Sequence, residues 1–213
     1  MNLKKTSCAI TLSLAATSLA FSVSAAPTPY ANTGIENSSE YTFTAATTGD
    51  IIAYFFSKGD AEFENTLGIT VNGVATGAVG LNNQSSSVGD ALNLGFANAG
   101  DTIVFTLHVA DTGNIWSSTK SSNFDSVNHV YSSAFSAENS IPAGLYVAFE
   151  DLARFGTPNS DYNYTDAQFV ITNVNEAGIN PQTPEVPLPA AAWFFGSGLL
   201  GMAGVVRGRS KAA

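Results

Sequence analysis

The chain has 213 residues, 45% of them hydrophobic, and its 17 acidic against 8 basic side chains give a formal charge of −9. All 17 acids lie between Glu36 and Glu185, where the only basic residues are Lys58, Lys120 and Arg154, so this region alone carries −14. That balance excludes nucleic acid as a partner, because such affinity rests on Lys and Arg at phosphates, and it suits an extracellular setting with divalent cations.

Residues 1–25 read as a secretory signal peptide. Lys4 and Lys5 form its positive start, Ala9 to Val23 is a short apolar run broken only by Ser and Thr, and Val23-Ser24-Ala25 fits an A-x-A site for signal peptidase. Cleavage is expected after Ala25, since a cut after Ala26 would place Pro27 beside it. The single cysteine, Cys8, leaves with this segment, and Lys5-Thr6-Ser7-Cys8 is not a lipoprotein box. The exported remainder has no disulfide, thiol nucleophile or thiolate metal site.

Residues 26–40 form a polar lead. Residues 41–176 then alternate short apolar runs with Gly, Asp, Asn and Ser clusters, which is an all-β rhythm. Ile51 to Phe56 is a continuous apolar run that suits a strand buried on both faces. Asn72-Gly73, between Ile69-Thr70-Val71 and Val74-Ala75-Thr76, predicts a two-residue hairpin. Leu92, Leu94 and Phe96 alternate, as do Ile103, Phe105, Leu107 and Val109 against Val104, Thr106 and His108. Leu145, Val147 and Phe149 follow the same period, and so do Phe169 and Ile171. Gly49-Asp50, Gly59-Asp60, Gly89-Asp90 and Gly100-Asp101 punctuate these runs as turns. The Ser-rich stretch from Ser117 to Ser140 reads as one long loop. The expected architecture is an all-β, jelly-roll-like β-sandwich.

Residues 177–187 are rich in Pro, Asn and Gln and read as an extended linker. Val186 to Val206 carries no charge, and Arg207, Arg209 and Lys211 follow at once, so residues 188–206 suit a single transmembrane helix and residues 207–213 a basic cytoplasmic end. The order of these parts resembles the PEP-CTERM sorting signals, in the subclass that opens with Val186, Pro187, Leu188, Pro189 and Ala190. The resemblance covers Pro184 to Ala213 and departs from the parent tripeptide by reading Pro-Glu-Val-Pro. It implies recognition by an exosortase, a transient stay in the inner membrane, and final residence at the surface or outside a Gram-negative bacterium that makes exopolysaccharide or biofilm. Gly196-Ser197-Gly198-Leu199-Leu200-Gly201 matches a dinucleotide fingerprint, but it follows no strand and lies inside the apolar span. Its small residues suit close helix packing in a membrane.

One loop carries candidate metal ligands. Glu150 and Asp151 end a strand, and Asp161, Asn163 and Asp166 precede the next. Hard cations such as calcium take six to eight oxygen ligands, and alternate oxygen-bearing residues in a tight loop can converge on one ion. The alternative is that Asp and Asn serve only as turn formers. Phe149-Glu150-Asp151 followed by Ser160-Asp161-Tyr162-Asn163-Tyr164-Thr165-Asp166 also resembles the closing motif of the "domain of unknown function 4114" family, which recurs on PEP-CTERM proteins. Asn65 to Gly73 resembles the same group. Asn163 and Thr165 stand where that motif has Asp and Asn, which removes one charge. The family has no established activity.

His108 and His129 lack the spacing of a general base and read as structural or solvent-facing. Trp116, Tyr131 and Tyr162 suit either stacking on sugar rings or the core. The resulting expectation is a non-enzymatic surface or matrix protein, with a candidate calcium site and exopolysaccharide as a candidate partner. The alternative is a secreted carbohydrate-active hydrolase of jelly-roll fold, with Glu150 and Asp166 as its carboxylate pair.

Overall fold

The computed structural model describes residues 27–156 and 158–177. The signal segment, the sorting helix with its basic end, and the linker beyond residue 177 lie outside the described residues. Among the described residues no helix is long and apolar enough to cross a membrane.

Among the described residues eleven strands follow in chain order: β1 (Phe43–Ala45), β2 (Gly49–Ser57), β3 (Asn65–Val71), β4 (Val74–Gly80), β5 (Ala91–Ala97), β6 (Thr102–Val109), β7 (Ile115–Ser117), β8 (Val130–Phe135), β9 (Gly144–Phe149), β10 (Ala167–Thr172) and β11 (Val174–Glu176). They form two antiparallel sheets packed as a β-sandwich. One runs β11-β1-β6-β3-β4, with β7 continuing along the β6 edge that β1 occupies at its other end; the second runs β5-β2-β10-β9-β8. The main core lies between them and is filled by the alternating residues expected from the sequence. Ile103, Phe105, Leu107 and Val109 of β6 meet Leu145, Val147 and Phe149 of β9 and Phe169 and Ile171 of β10. Asn72-Gly73 makes the β3–β4 hairpin, with Val71 paired to Val74 and φ of 50° and 80° at the two loop residues. Both central residues of a type I′ turn require positive φ, which Asn and Gly tolerate.

Three expectations change. The Ile51–Phe56 run is not buried equally on both faces. Ile51, Ala53 and Phe55 enter the core, while Tyr54 and Phe56 lie half-buried in a second apolar cluster on the outer face of the sheet. That cluster also takes Tyr146 and Ala148 of β9, and Tyr30 of the N-terminal lead packs on it against Tyr131 and Tyr164. The alternation of Leu92, Leu94 and Phe96 breaks. Ile51 pairs with Gly95 but Ile52 with Asn93, so Leu94 is the extra residue of a β-bulge. A bulge reverses the facing of the residues beyond it, so Ala97 is buried and Phe96 is 61% exposed. The Ser117–Ser140 stretch contains a strand, β8, which pairs with β9 along its whole length. Its serines mask it, because Ser132 and Ser133 occupy strand positions with little apolar signal.

At the rim of the core, among the described residues, Glu176 is a poorly satisfied acid. Glu176 sits opposite Phe43, is 8% exposed, and its Oε2 has no hydrogen-bond partner among the described residues. Burial pushes its carboxyl above the ordinary value, and the Ser132 hydroxyl offsets this only in part. A carboxyl raised in the folded state binds more protons there than in the unfolded chain, so stability falls as pH rises through the unfolded value and above it. Glu176→Gln is therefore expected to raise the melting temperature by roughly 2–4 °C at about pH 7 and to leave it unchanged at about pH 4. Thermal unfolding at the two pH values checks this.

Candidate metal centre

The ends of β9 and β10 build the site. β9 is buried on both faces through Phe149, and the chain continues without turning outward. Glu150 is consequently 0% and Asp151 3% exposed. Asp166 stands just before β10 and is tied to the same place twice. Its N–H donates to the Phe149 carbonyl (3.1 Å), and its Oδ2 accepts the Asp151 N–H (2.9 Å). The result is three buried carboxylates, Glu150, Asp151 and Asp166, whose potential ligand oxygens lie within 4.8 Å of one another.

Few donors serve these six oxygens. Asp151 Oδ2 accepts the Asn65 amide at 2.6 Å, and Glu150 Oε1 accepts the Leu152 N–H at 3.3 Å. Among the described residues Glu150 Oε2 has no partner, and neither has Asn65 Oδ1, on a side chain that is 0% exposed. The cluster opens on a cleft of about 360 Å³, lined by Asp60, Glu62 and Asp161 besides the three buried acids. No described Lys, Arg or His lines it. Burial first, and then the charges of Asp161 and Asp151, push the Glu150 carboxyl up to about 8. Burial, with Glu150 and Asp151 beside it, pushes Asp166 up to about 9. Asp151 is also raised, chiefly by burial. Unpaired buried charge is costly. Such groups either hold protons or share a cation, and an all-oxygen donor set suits a hard divalent ion rather than zinc or copper.

The five residues expected from the sequence separate in space. Glu150, Asp151 and Asp166 converge. Asp161 is exposed at the rim of the cleft. Asn163 does not line it, because its Oδ1 accepts both the N–H (2.8 Å) and the hydroxyl (2.7 Å) of Thr165. Its amide braces Asp161 (2.9 Å) and Asp60 (3.2 Å) instead. This loop has left-handed φ at Tyr162 (52°) and Tyr164 (57°). The buried Tyr164 anchors it: its hydroxyl accepts the Asn37 N–H at 2.8 Å and donates to the Asn128 carbonyl at 2.9 Å. Asp60 reaches the mouth through a close backbone approach. At Gly59, with φ of 52°, a Cβ would stand 2.0 Å from the Thr165 carbonyl oxygen, so only glycine fits.

Two further residues hold the site from behind. Trp116 is 0% exposed, and its Nε1–H donates to the Asp151 carbonyl at 2.8 Å. His129 lies flat on the Trp116 ring, with centroids 3.6 Å apart and planes 8° from parallel, and its Nδ1 donates to the Glu150 carbonyl at 2.8 Å. His129 Nε2 faces Asp125 at 3.1 Å. Burial lowers the His129 pKa, while the Glu150 carbonyl and Asp125 pull the other way. The stacked pair therefore fixes two consecutive carbonyls, those of the two residues whose side chains lead the cluster. Asn65 and Asn83 complete the frame. Asn83 Oδ1 accepts the Asn65 N–H at 2.8 Å, and its amide donates to the Asp166 carbonyl at 3.3 Å. Of these positioning residues, Trp116 and His129 attract notice in the sequence for other roles, Asn65 only as the start of the Asn65–Gly73 resemblance, and Asn83 not at all. Asn65 lies 86 positions from Asp151, and no local pattern announces that contact. His108 is half-buried near Thr106, away from the cleft lining.

No protein-family model, no curated protein and no solved structure matches the chain.

Proposed function

We propose that this is an exported surface or matrix protein whose β-sandwich binds a hard divalent cation, calcium foremost, in a binding or structural role without catalysis. The observation that carries the cation reading is the unpartnered Oε2 of a fully buried Glu150 inside a cluster of three carboxylates. A bound ion would use Glu150, Asp151 and Asp166. It would also relieve charge that no described basic side chain in the cleft offsets. The hydrolase reading would need Glu150 and Asp166 to flank a substrate bond, and both are buried, with Asp166 already accepting the Asp151 N–H.

The pairing of β1 with β11, β2 with β10 and β3 with β6 nests the two halves of the chain and supports the jelly-roll class. The signal-like front and the sorting-like tail support export, exosortase handling and an envelope or extracellular address. Mass spectrometry of the envelope-associated protein tests the sorting part, and an intact Ala213 there would remove it. Calorimetric unfolding of the whole protein with calcium and with chelator tests the cation part. The midpoint is expected to rise with calcium, and an unchanged midpoint would remove that reading.

A further inference from the structure

We propose that the cleft beside the carboxylate cluster binds a neutral saccharide, with vicinal hydroxyls of the sugar completing the coordination of the cation. The proposal rests on the cation reading of the same site. Three features of the cleft lead to it.

The first is room on one side of the ion. Glu150, Asp151 and Asp166 approach from the strand ends and form one wall. A calcium-sized ion takes six to eight oxygens, so positions facing the open side fall to water or to a ligand. The cleft, about 360 Å³, is within the size range of small-ligand pockets and far larger than a single water needs.

The second feature is the rim. Asp60, Glu62 and Asp161 are exposed carboxylates on the lining. They repel a ligand that brings its own carboxylate or phosphate to the ion. They accept hydrogen bonds from hydroxyl groups, which are donors as well as metal ligands. The rim thus selects neutral polyols over uronates and phosphorylated sugars.

The third is an apolar wall. Half-buried Phe63 and Leu152, with exposed Pro158, share the lining with the carboxylates. A saccharide presents hydroxyls at its edge and C–H groups on its face, and the face packs against aromatic and aliphatic surface. An ion site serving only to staple the fold would need no such wall at an open mouth.

The experiment uses the whole protein in a detergent without a sugar head group, applied to immobilised mannan, galactan and dextran and to polygalacturonate. Each is run in calcium and again in chelator, and the calcium-induced rise in melting temperature is recorded on the same preparations. The expected result is calcium-dependent retention on at least one neutral polymer, release by chelator, and none on polygalacturonate. Phe63→Ala, and separately Leu152→Ala, should weaken that retention roughly tenfold while keeping the calcium-induced rise. A calcium-induced rise without retention on any neutral polymer would overturn this proposal and leave the cation reading standing. Retention on polygalacturonate alone would overturn it as well. Absence of the rise would remove the cation reading and this proposal with it.

Discussion

Glu150→Gln is expected to abolish the calcium-induced rise in melting temperature while making the calcium-free protein more stable than the wild type. The two effects have opposite signs because one group causes both. In the wild type without metal, Glu150 is 0% exposed, its Oε2 has no partner among the described residues, and two more carboxylates lie within 4.8 Å. Ionising it there costs free energy that an amide of the same shape avoids. An amide also supplies two N–H donors to neighbours that have few. Removing the cost of ionising that carboxyl, or of keeping it protonated where water would ionise it, is expected to yield about 1–3 kcal/mol in chelator at about pH 7. With calcium present, the lost ligand and the lost charge remove the linkage term. That term is about 2.7 kcal/mol at free calcium a hundred times the dissociation constant, or roughly 5–10 °C for a domain of this size. Scanning calorimetry of wild type and variant, each with calcium and with chelator, separates the two effects. A variant that keeps the wild-type rise would show that Glu150 is not a ligand. A variant that loses stability in chelator would show that its carboxylate is already satisfied.

The sequence displays the sandwich more openly than the site, and the reason is range. A strand with one buried face writes its period directly into neighbouring residues, as β6, β9 and β10 do, and a hairpin is written in two residues, as at Asn72-Gly73. Features that depend on a partner strand are not written locally. The bulge at Leu94 arises from how β5 meets β2, and its one local mark is Gly95, with φ of 129°, which breaks the run without telling which residues change face. β8 is a strand because β9 pairs with it, although its own composition reads as loop. The candidate site divides in the same way. Glu150-Asp151 and Asp166 are conspicuous because strand ends and acids coincide in the sequence. Alternation along Asp161, Asn163 and Asp166 misleads, because left-handed residues at Tyr162 and Tyr164 turn Asn163 toward Asp60 rather than toward the cluster. Asn65, Asn83, Trp116 and His129 reach the site from four other parts of the chain, so only the folded structure connects them with it.

Trp116 shows how far that connection extends, and its removal is the largest loss of stability we expect. Its indole is fully buried between His129 at 3.6 Å and Phe124 at 4.9 Å, and it belongs to the main core. Trp116→Ala would leave a large cavity, strip His129 of its stacking partner and leave the Asp151 carbonyl without its indole donor. The expected cost is about 3–5 kcal/mol, or roughly 6–20 °C in melting temperature, measurable by thermal or urea unfolding. That loss alone would mark Trp116 as a core residue. Trp116→Phe is the sharper variant, since it keeps most of the ring but removes the Nε1–H that holds the Asp151 carbonyl at 2.8 Å. If that bond sets the position of Asp151, the variant should stay folded and bind calcium several-fold more weakly, with the loss appearing in the calcium titration beyond the drop in melting temperature. Phe169 provides the control. It is equally buried in the main core but makes no hydrogen bond to the site, so Phe169→Leu should lower the melting temperature and leave the calcium affinity unchanged. Equal calcium affinities in the two variants would show that Trp116 supports the fold without positioning the ligand.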